Sequence, residues 1–169
     1  MSGLVLVRPK YPHNVAAAIR AASCFGIDTL LWTGHRFEFK DGERLPREER
    51  MKGYADVTFR EDERPLETLP GTPVCIELTP SARSLTDFQH PEDAIYVFGP
   101  EDGSVPWQYR RLCHHFVYIP SQHCLNLSAA INVVLYDRAA KRQVSGAALG
   151  YNIDSEQRGW IEIPGWEGK

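Results

Sequence analysis

Short apolar runs of four or five residues recur along the chain, each cut off by a loop or by a segment with helical spacing. The runs are Leu4 to Val7, Thr29 to Trp32, Asp56 to Phe59, Val74 to Leu78, Ala94 to Phe98 and Phe116 to Ile119. Runs this short and this apolar predict strands buried on both faces rather than one side of an amphipathic ribbon. A helix is predicted from Val15 to about Phe25, with Asn14 as its cap and Gly26 just past its end. Shorter helices are predicted at Pro46–Lys52 and Pro106–His114, each opening on a proline suited to a first turn. The longest runs from Asn126 to about Gln143. Its first half is apolar nearly all round, which predicts burial, and its second half closes on Arg138, Lys141 and Arg142. Strands alternating with helices predict an α/β fold, a mostly parallel sheet with helices on both faces.

A chain of 169 residues is one domain in the simplest reading, set here at 1–145 with 146–169 as a tail. That tail is either an appended strand or a disordered end, and Trp160 and Trp166 favour docking on the body. No segment approaches the ~20 apolar residues of a membrane span, and the start lacks a basic flank before a long apolar core. The expectation is a cytoplasmic protein with no membrane contact. Cys113-His114-His115 and His123-Cys124 lack the paired spacing of a zinc site, so the four cysteines are read as free thiols and no metal is expected. The net charge of −3 is not that of a typical nucleic-acid binder, although only the field at a binding face steers an anionic partner.

The polar residues that carry chemistry sit where apolar strands end, the place where α/β folds hold ligands. There is no GxGxxG, no phosphate-binding GxxxxGK[ST] and no GxSxG elbow. Instead three segments stand out: Pro12 to Arg20, Phe98-Gly99-Pro100-Glu101, and Leu125 to Ala130. Gly99 would let a ligand approach the backbone closely, and Glu101 would hold a cationic or hydroxyl group; the segment is also compatible with a plain strand-to-helix turn. Arg20 is the one charge between Asn14 and Asp28, and its five-donor fork suits phosphate or a structural acid partner equally. Asn14, Asn126 and Ser128 are helix caps, ligand groups, or both. Arg8, Lys10, Arg36, Lys40, Arg44, Arg47, Arg50 and Lys52 could track phosphates, but interleaved Glu38, Asp41, Glu43, Glu48 and Glu49 fit a solvated face as well.

In order and spacing the three segments resemble the motifs of the SPOUT superfamily of RNA methyltransferases, in its 2′-O-ribose methylating, SpoU/TrmH-like branch. Asn14 and Arg20 match the first motif, Gly99 and Glu101 the second, Asn126 and Ser128 the third. The likeness spans roughly the first 145 residues and is similar to the minimal tRNA-modifying members, which lack an added RNA-binding domain. It implies a C-terminal deep trefoil knot, a homodimer whose active sites are completed across the interface, and S-adenosylmethionine as cofactor. Carried over, the cofactor residues are Leu78, Thr79, Phe98, Gly99, Gly103, Ile119, Leu125, Leu127 and Ser128. The catalytic set is Arg20, Asn14, Glu101 and Asn126.

The implied reaction is attack of a ribose 2′-hydroxyl on a sulfonium methyl, with tRNA a better candidate than rRNA. A guanidinium seldom gives up its proton, so Arg20 is assigned as donor to the 2′-oxygen and adjacent phosphate rather than as base. Asn14 and Asn126 position substrate, and Glu101 orients Arg20 or the ribose. Three positions depart from the family pattern: Ala16 and Ser104 stand where glycine is usual, and Cys124 where serine is. Two further readings stay open, a catalytically inactive RNA-binding protein of the same fold and an unrelated small hydrolase using Glu101 and a histidine.

Overall fold

The computed structural model describes residues 2–34, 36–37 and 56–144. The predicted helix at Pro46–Lys52, most of the basic 36–52 segment and the 146–169 tail lie outside the described residues.

Seven strands form one sheet in the order β3-β2-β1-β6-β4-β7-β5, and every pairing is parallel. They are β1 (Gly3–Val7), β2 (Thr29–Thr33), β3 (Thr58–Glu61), β4 (Thr72–Ile76), β5 (Arg83–Ser84), β6 (Ala94–Phe98) and β7 (His115–Tyr118). The central strands β1 and β6 are buried at every position. Their side chains alternate between two cores, as a pleat with period two requires. Leu4, Leu6, Tyr96 and Phe98 enter one core, and Val5, Val7, Ile95 and Val97 the other.

The first core is covered by α1 (Pro12–Cys24) and α4 (Leu127–Val144), which pack on each other. The short helices α2 (Pro65–Thr68) and α3 (Trp107–Arg110), with the segments beside them, cover the second through Leu66, Leu69, Tyr109 and Cys113. Each fully buried Leu, Ile or Val on these faces stabilises the fold by about 1.5–3 kcal/mol relative to exposure. α1 ends as predicted, with Gly26 at φ 66° and the Ile27 N–H returned to the Ala22 carbonyl at 2.9 Å.

Several sequence expectations are corrected. α1 begins at Pro12, not Val15; Tyr11 caps it, and Asn14 lies in the first turn, its N–H held by the Tyr11 carbonyl at 3.1 Å. Proline needs no N–H partner and has its φ preset, so it starts the helix earlier than a polar cap would. The predicted Pro106–His114 helix is one turn, Trp107–Arg110, with Pro106 outside it as the cap. The strand expected at Asp56 to Phe59 sits two residues later, and the two-residue β5 carries no apolar run to announce it. In α4 the inward stripe is Leu127, Ile131, Val134, Leu135 and Arg138, whereas Val133 is 38% and Tyr136 66% exposed. The apolar first half is thus not buried all round in the single chain.

The stretch before β6 is tied to α4 by a buried polar network. His90 is bonded to the Tyr96 hydroxyl at 2.6 Å and to Asp137 at 2.8 Å, and Lys141 reaches the same carboxylate at 2.7 Å. Asp137 can only accept, so Nε2 of His90 carries the proton and Nδ1 accepts from Tyr96. Burial pushes the His90 imidazole below its ordinary value, outweighing the upward pull of Asp137. The folded protein therefore binds fewer protons here than the unfolded chain, and stability is lost as pH falls through the ordinary histidine value of 6.5. A thermal unfolding midpoint recorded from about pH 8 to about pH 5 is expected to decline below ~6.5, with a smaller decline in His90→Gln. An unchanged profile in that variant would assign the acid sensitivity elsewhere.

Candidate active site

The register of the sheet gathers four loops at one edge. Leu6 pairs with Phe98, Phe98 with Ile76, and Ile76 with Val117, so the segments that follow β1, β6, β4 and β7 leave side by side. β1 lies between β2 and β6, so the chain direction across the sheet reverses there, which opens a crevice at the strands' carboxyl ends.

The loop after β1 is held in an unusual conformation. Arg8 adopts φ 52°, the left-handed region that non-glycine residues rarely enter. Its N–H donates to the Thr33 carbonyl at 3.0 Å, and its own carbonyl accepts from the Arg36 guanidinium at 3.2 Å. Gly34 faces it at φ 80°, where a Cβ would come within 2.6 Å of Arg8 Cγ, so this close approach requires glycine. Arg36 also forks onto Asp102 at 2.9 and 2.8 Å, and its hydrogen bonds hold that carboxyl well below the usual carboxylate range.

Glu101 joins this loop to the turn after β6. Its carboxylate accepts from the Lys10 N–H at 2.7 Å and from the Asn14 side-chain amide at 2.5 Å. Partial burial alone would raise its pKa, but these donors outweigh that and the group lies below its ordinary value. Glu101 therefore orients Asn14, where the sequence reading has it orient Arg20 or a ribose.

At Gly99 a Cβ would stand 2.9 Å from the backbone nitrogen of Val105, so on that side the glycine admits the chain's own returning loop. The Val105 N–H is in turn held by the Glu77 carboxylate at 2.9 Å, which ties the turn to the end of β4. At the start of α4 the Asn126 side-chain oxygen accepts the Ala129 N–H at 2.8 Å and the Ser128 hydroxyl at 3.2 Å. Asn126 is thus a working helix cap whose Nδ2 is not used in capping.

Between the segments that follow β4, β6 and β7 lies a cleft of about 820 Å³, within the range of small-molecule sites. Of the expected cofactor residues, Leu78, Phe98, Gly99, Gly103, Ile119, Leu125 and Leu127 line it, as does Glu101. Thr79 and Ser128 do not. The Thr79 hydroxyl is nevertheless buried with no hydrogen-bond partner among the described residues, an orphaned polar atom directly after Leu78. Arg20 is exposed on α1 and is not part of the lining, so the chain brings Asn14 and Glu101 together without Arg20. Ala16 is buried in α1, while Cys124 lines the cleft and Ser104 is exposed.

Sequence reading missed Glu77 in the lining and the Arg36–Asp102 pair. Glu77 had a visible signal, a lone carboxylate closing an apolar strand run just before Leu78. The Arg36–Asp102 pair had none, because 66 positions separate its members. Among the described residues no group of three metal-ligating side chains converges, and no helix is long and apolar enough to cross a membrane.

With this geometry in hand, comparison with known proteins is informative. Residues 1–136 match the profile of the SpoU rRNA methylase family. No curated protein sequence matches the chain. Among solved structures, the SpoU methyltransferase AviRb from Streptomyces viridochromogenes, in complex with the cofactor AdoMet, superposes with TM-score 0.70 at 22% identity, over 83% of this chain and 57% of that one. A TrmH/SpoU tRNA modifying enzyme from A. aeolicus gives TM-score 0.72 at 18% identity, over 85% and 76%. A structure described as giving insight into 2-OH methylation of C/U34 on tRNA gives TM-score 0.67 at 27% identity, over 86% of this chain and 97% of that one. The chain spans only 61% and 57% of the two AviRb chains it matches.

Proposed function

Because the chain belongs to the SpoU rRNA methylase family, and so to the RNA methyltransferases, we propose that it methylates a ribose 2′-hydroxyl and that its substrate is tRNA. One observation carries the reading: Glu101 locks Asn14 beside a cleft lined by most of the residues the three motifs assign to the cofactor. The tRNA assignment is supported by the 27% identical relative named for 2-OH methylation of C/U34, 97% of whose length aligns with this chain.

The cleft fits S-adenosylmethionine. Leu78, Phe98, Ile119, Leu125 and Leu127 offer apolar surface, and Glu77 and Glu101 offer carboxylates. When bound, the cofactor supplies an electrophilic methyl group. The chain's own residues do the rest. A ribose hydroxyl is a poor nucleophile, so catalysis depends on donors placed where negative charge develops on the 2′-oxygen. Arg20 is that donor, to the oxygen and the neighbouring phosphate. Asn14, fixed by Glu101, and the Asn126 Nδ2 position the ribose.

Arg20 is exposed on α1 and is not among the residues lining the cleft of its own chain, while Val133 and Tyr136 lie exposed on α4, which packs on α1. Both features support a homodimer in which the arginine of one subunit serves the cleft of the other. The reading also carries the superfamily's C-terminal trefoil knot and a cytoplasmic site of action, where tRNA is available. Transfer of labelled methyl from S-adenosylmethionine to unmodified tRNA, with rRNA alongside, tests it. Label in tRNA is expected; label in rRNA alone would reassign the substrate, and cofactor binding without transfer to either would favour the inactive RNA-binding reading.

A further inference from the structure

The loop that delivers Asn14 also displays two aromatic rings that the reaction outlined above does not use. Tyr11 and His13 stack with ring centroids 5.3 Å apart and planes 16° from parallel, and both are exposed. Lys10 places its ammonium 5.3 Å from the Tyr11 ring centroid. Tyr11 occupies the cap position of α1, where a small polar side chain is ordinarily preferred, and its side chain makes no capping hydrogen bond. A large ring there, 44% exposed, does nothing for the helix.

The rings are also held more firmly than a surface turn requires. The segment is pinned at its start by the left-handed Arg8 and the Arg36 bond to the Arg8 carbonyl. Past that point the Glu101 carboxylate receives the backbone N–H of Lys10 and the side chain of Asn14. Strained backbone of this kind persists only where its surroundings over-determine it, and such strain gathers at ligand-binding segments. Here the anchored segment presents a flat aromatic surface next to Glu101, which lines the cleft.

We infer that Tyr11 and His13 form a stacking platform for a nucleobase of the RNA, adjoining the nucleotide whose ribose is methylated. Every base has a π-face, so a two-ring stack with a cation over the Tyr11 ring grips an unpaired nucleotide whatever its identity, and does so where a single-stranded loop can splay its bases out. This rests on the RNA methyltransferase reading and adds to it the group that holds the substrate's base, a role none of the three motif segments assigns to Tyr11 or His13.

The test compares the full-length protein with Tyr11→Phe, Tyr11→Leu and His13→Ala, using unmodified tRNA as the methyl acceptor. Four quantities are read: S-adenosylmethionine affinity by calorimetry, kcat and KM for tRNA, and oligomeric state by sedimentation. Loss of one base–aromatic stack corresponds to a weakening of roughly tenfold to a hundredfold. Tyr11→Leu and His13→Ala are expected to raise the tRNA KM by about that factor, leaving cofactor affinity and oligomeric state as in the wild type. Tyr11→Phe, which keeps the ring, is expected to retain the wild-type KM. The same substitutions should leave the slope of tRNA affinity against salt unchanged, because they remove a stack and no phosphate contact. A Tyr11→Leu protein with KM within about twofold of wild type overturns the platform while the methyltransferase reading stands. A Tyr11→Leu protein that changes its oligomeric state also overturns it, assigning the rings to a subunit contact. A wild-type protein that takes up cofactor but neither binds nor methylates RNA brings down the functional reading, and the platform with it.

Discussion

Arg20→Ala is expected to lower the methyl-transfer rate on the order of a hundredfold to a thousandfold, with S-adenosylmethionine affinity unchanged. The magnitude is that of removing one preorganised donor from a developing oxyanion. The separation of the two effects follows from position, since Arg20 is exposed on α1 and does not line the cleft. Arg20→Lys keeps the charge but loses the planar fork that can hold oxygen and phosphate together, so it should recover only part of the rate. If the arginine acts in the cleft of the other subunit, mixing Arg20→Ala with a variant defective only in cofactor uptake should restore a fraction of the activity through mixed dimers. Turnover of Arg20→Ala near that of the wild type would remove Arg20 from the catalytic set.

Glu101→Gln is the second large effect. The carboxylate accepts from the Lys10 N–H and from Asn14, and hydrogen bonds of this kind keep it ionised below the ordinary glutamate value of 4.5. An amide keeps the shape, but it loses the charge and brings two donors of its own to face the Asn14 amide. Losing hydrogen bonds to a charged acceptor costs about 1.5–3 kcal/mol, which corresponds to roughly tenfold to a hundredfold in kcat/KM for RNA. The sign of the pH effect follows from the same bonds. A carboxylate depressed on folding stabilises the fold above its unfolded value, and that contribution is lost as pH falls through its folded value. Glu101→Gln should therefore flatten the acid limb of stability below about pH 4.5, a range separate from the one governed by His90. An acid limb identical to that of the wild type would mean that the Glu101 tether contributes nothing to folding.

What the amino-acid sequence revealed, and what it hid, follows from the range of the interactions concerned. Strands such as Ala94–Phe98 were legible to the residue because a parallel strand buried on both faces is apolar throughout and ends abruptly. Gly26 marked the end of α1 because a left-handed residue is a local demand. Asn14 misled because its chemistry suits a cap, while the proline two residues earlier had already begun the helix and freed its amide for Glu101, 87 positions away. Gly99 was legible as a close-approach glycine on the cleft, but that the Cβ space there is also taken by the return of the same loop is announced by no local pattern. The three motif segments could be read as a set, but that Asn14 and Glu101 meet while Arg20 stays outside the cleft depends on the sheet register. The exposed Val133 and Tyr136 on α4 show the limit of periodicity, since an apolar face reads the same whether its cover is the same chain or another.

The most direct test of the central claim is mass-spectrometric nucleoside analysis of unmodified tRNA incubated with the protein and isotopically labelled S-adenosylmethionine. The account predicts that the labelled methyl group is recovered on the ribose of a 2′-O-methylated nucleoside, and that this nucleoside is missing after incubation with Arg20→Ala. Label recovered on a nucleobase, with the ribose unmodified, would contradict it.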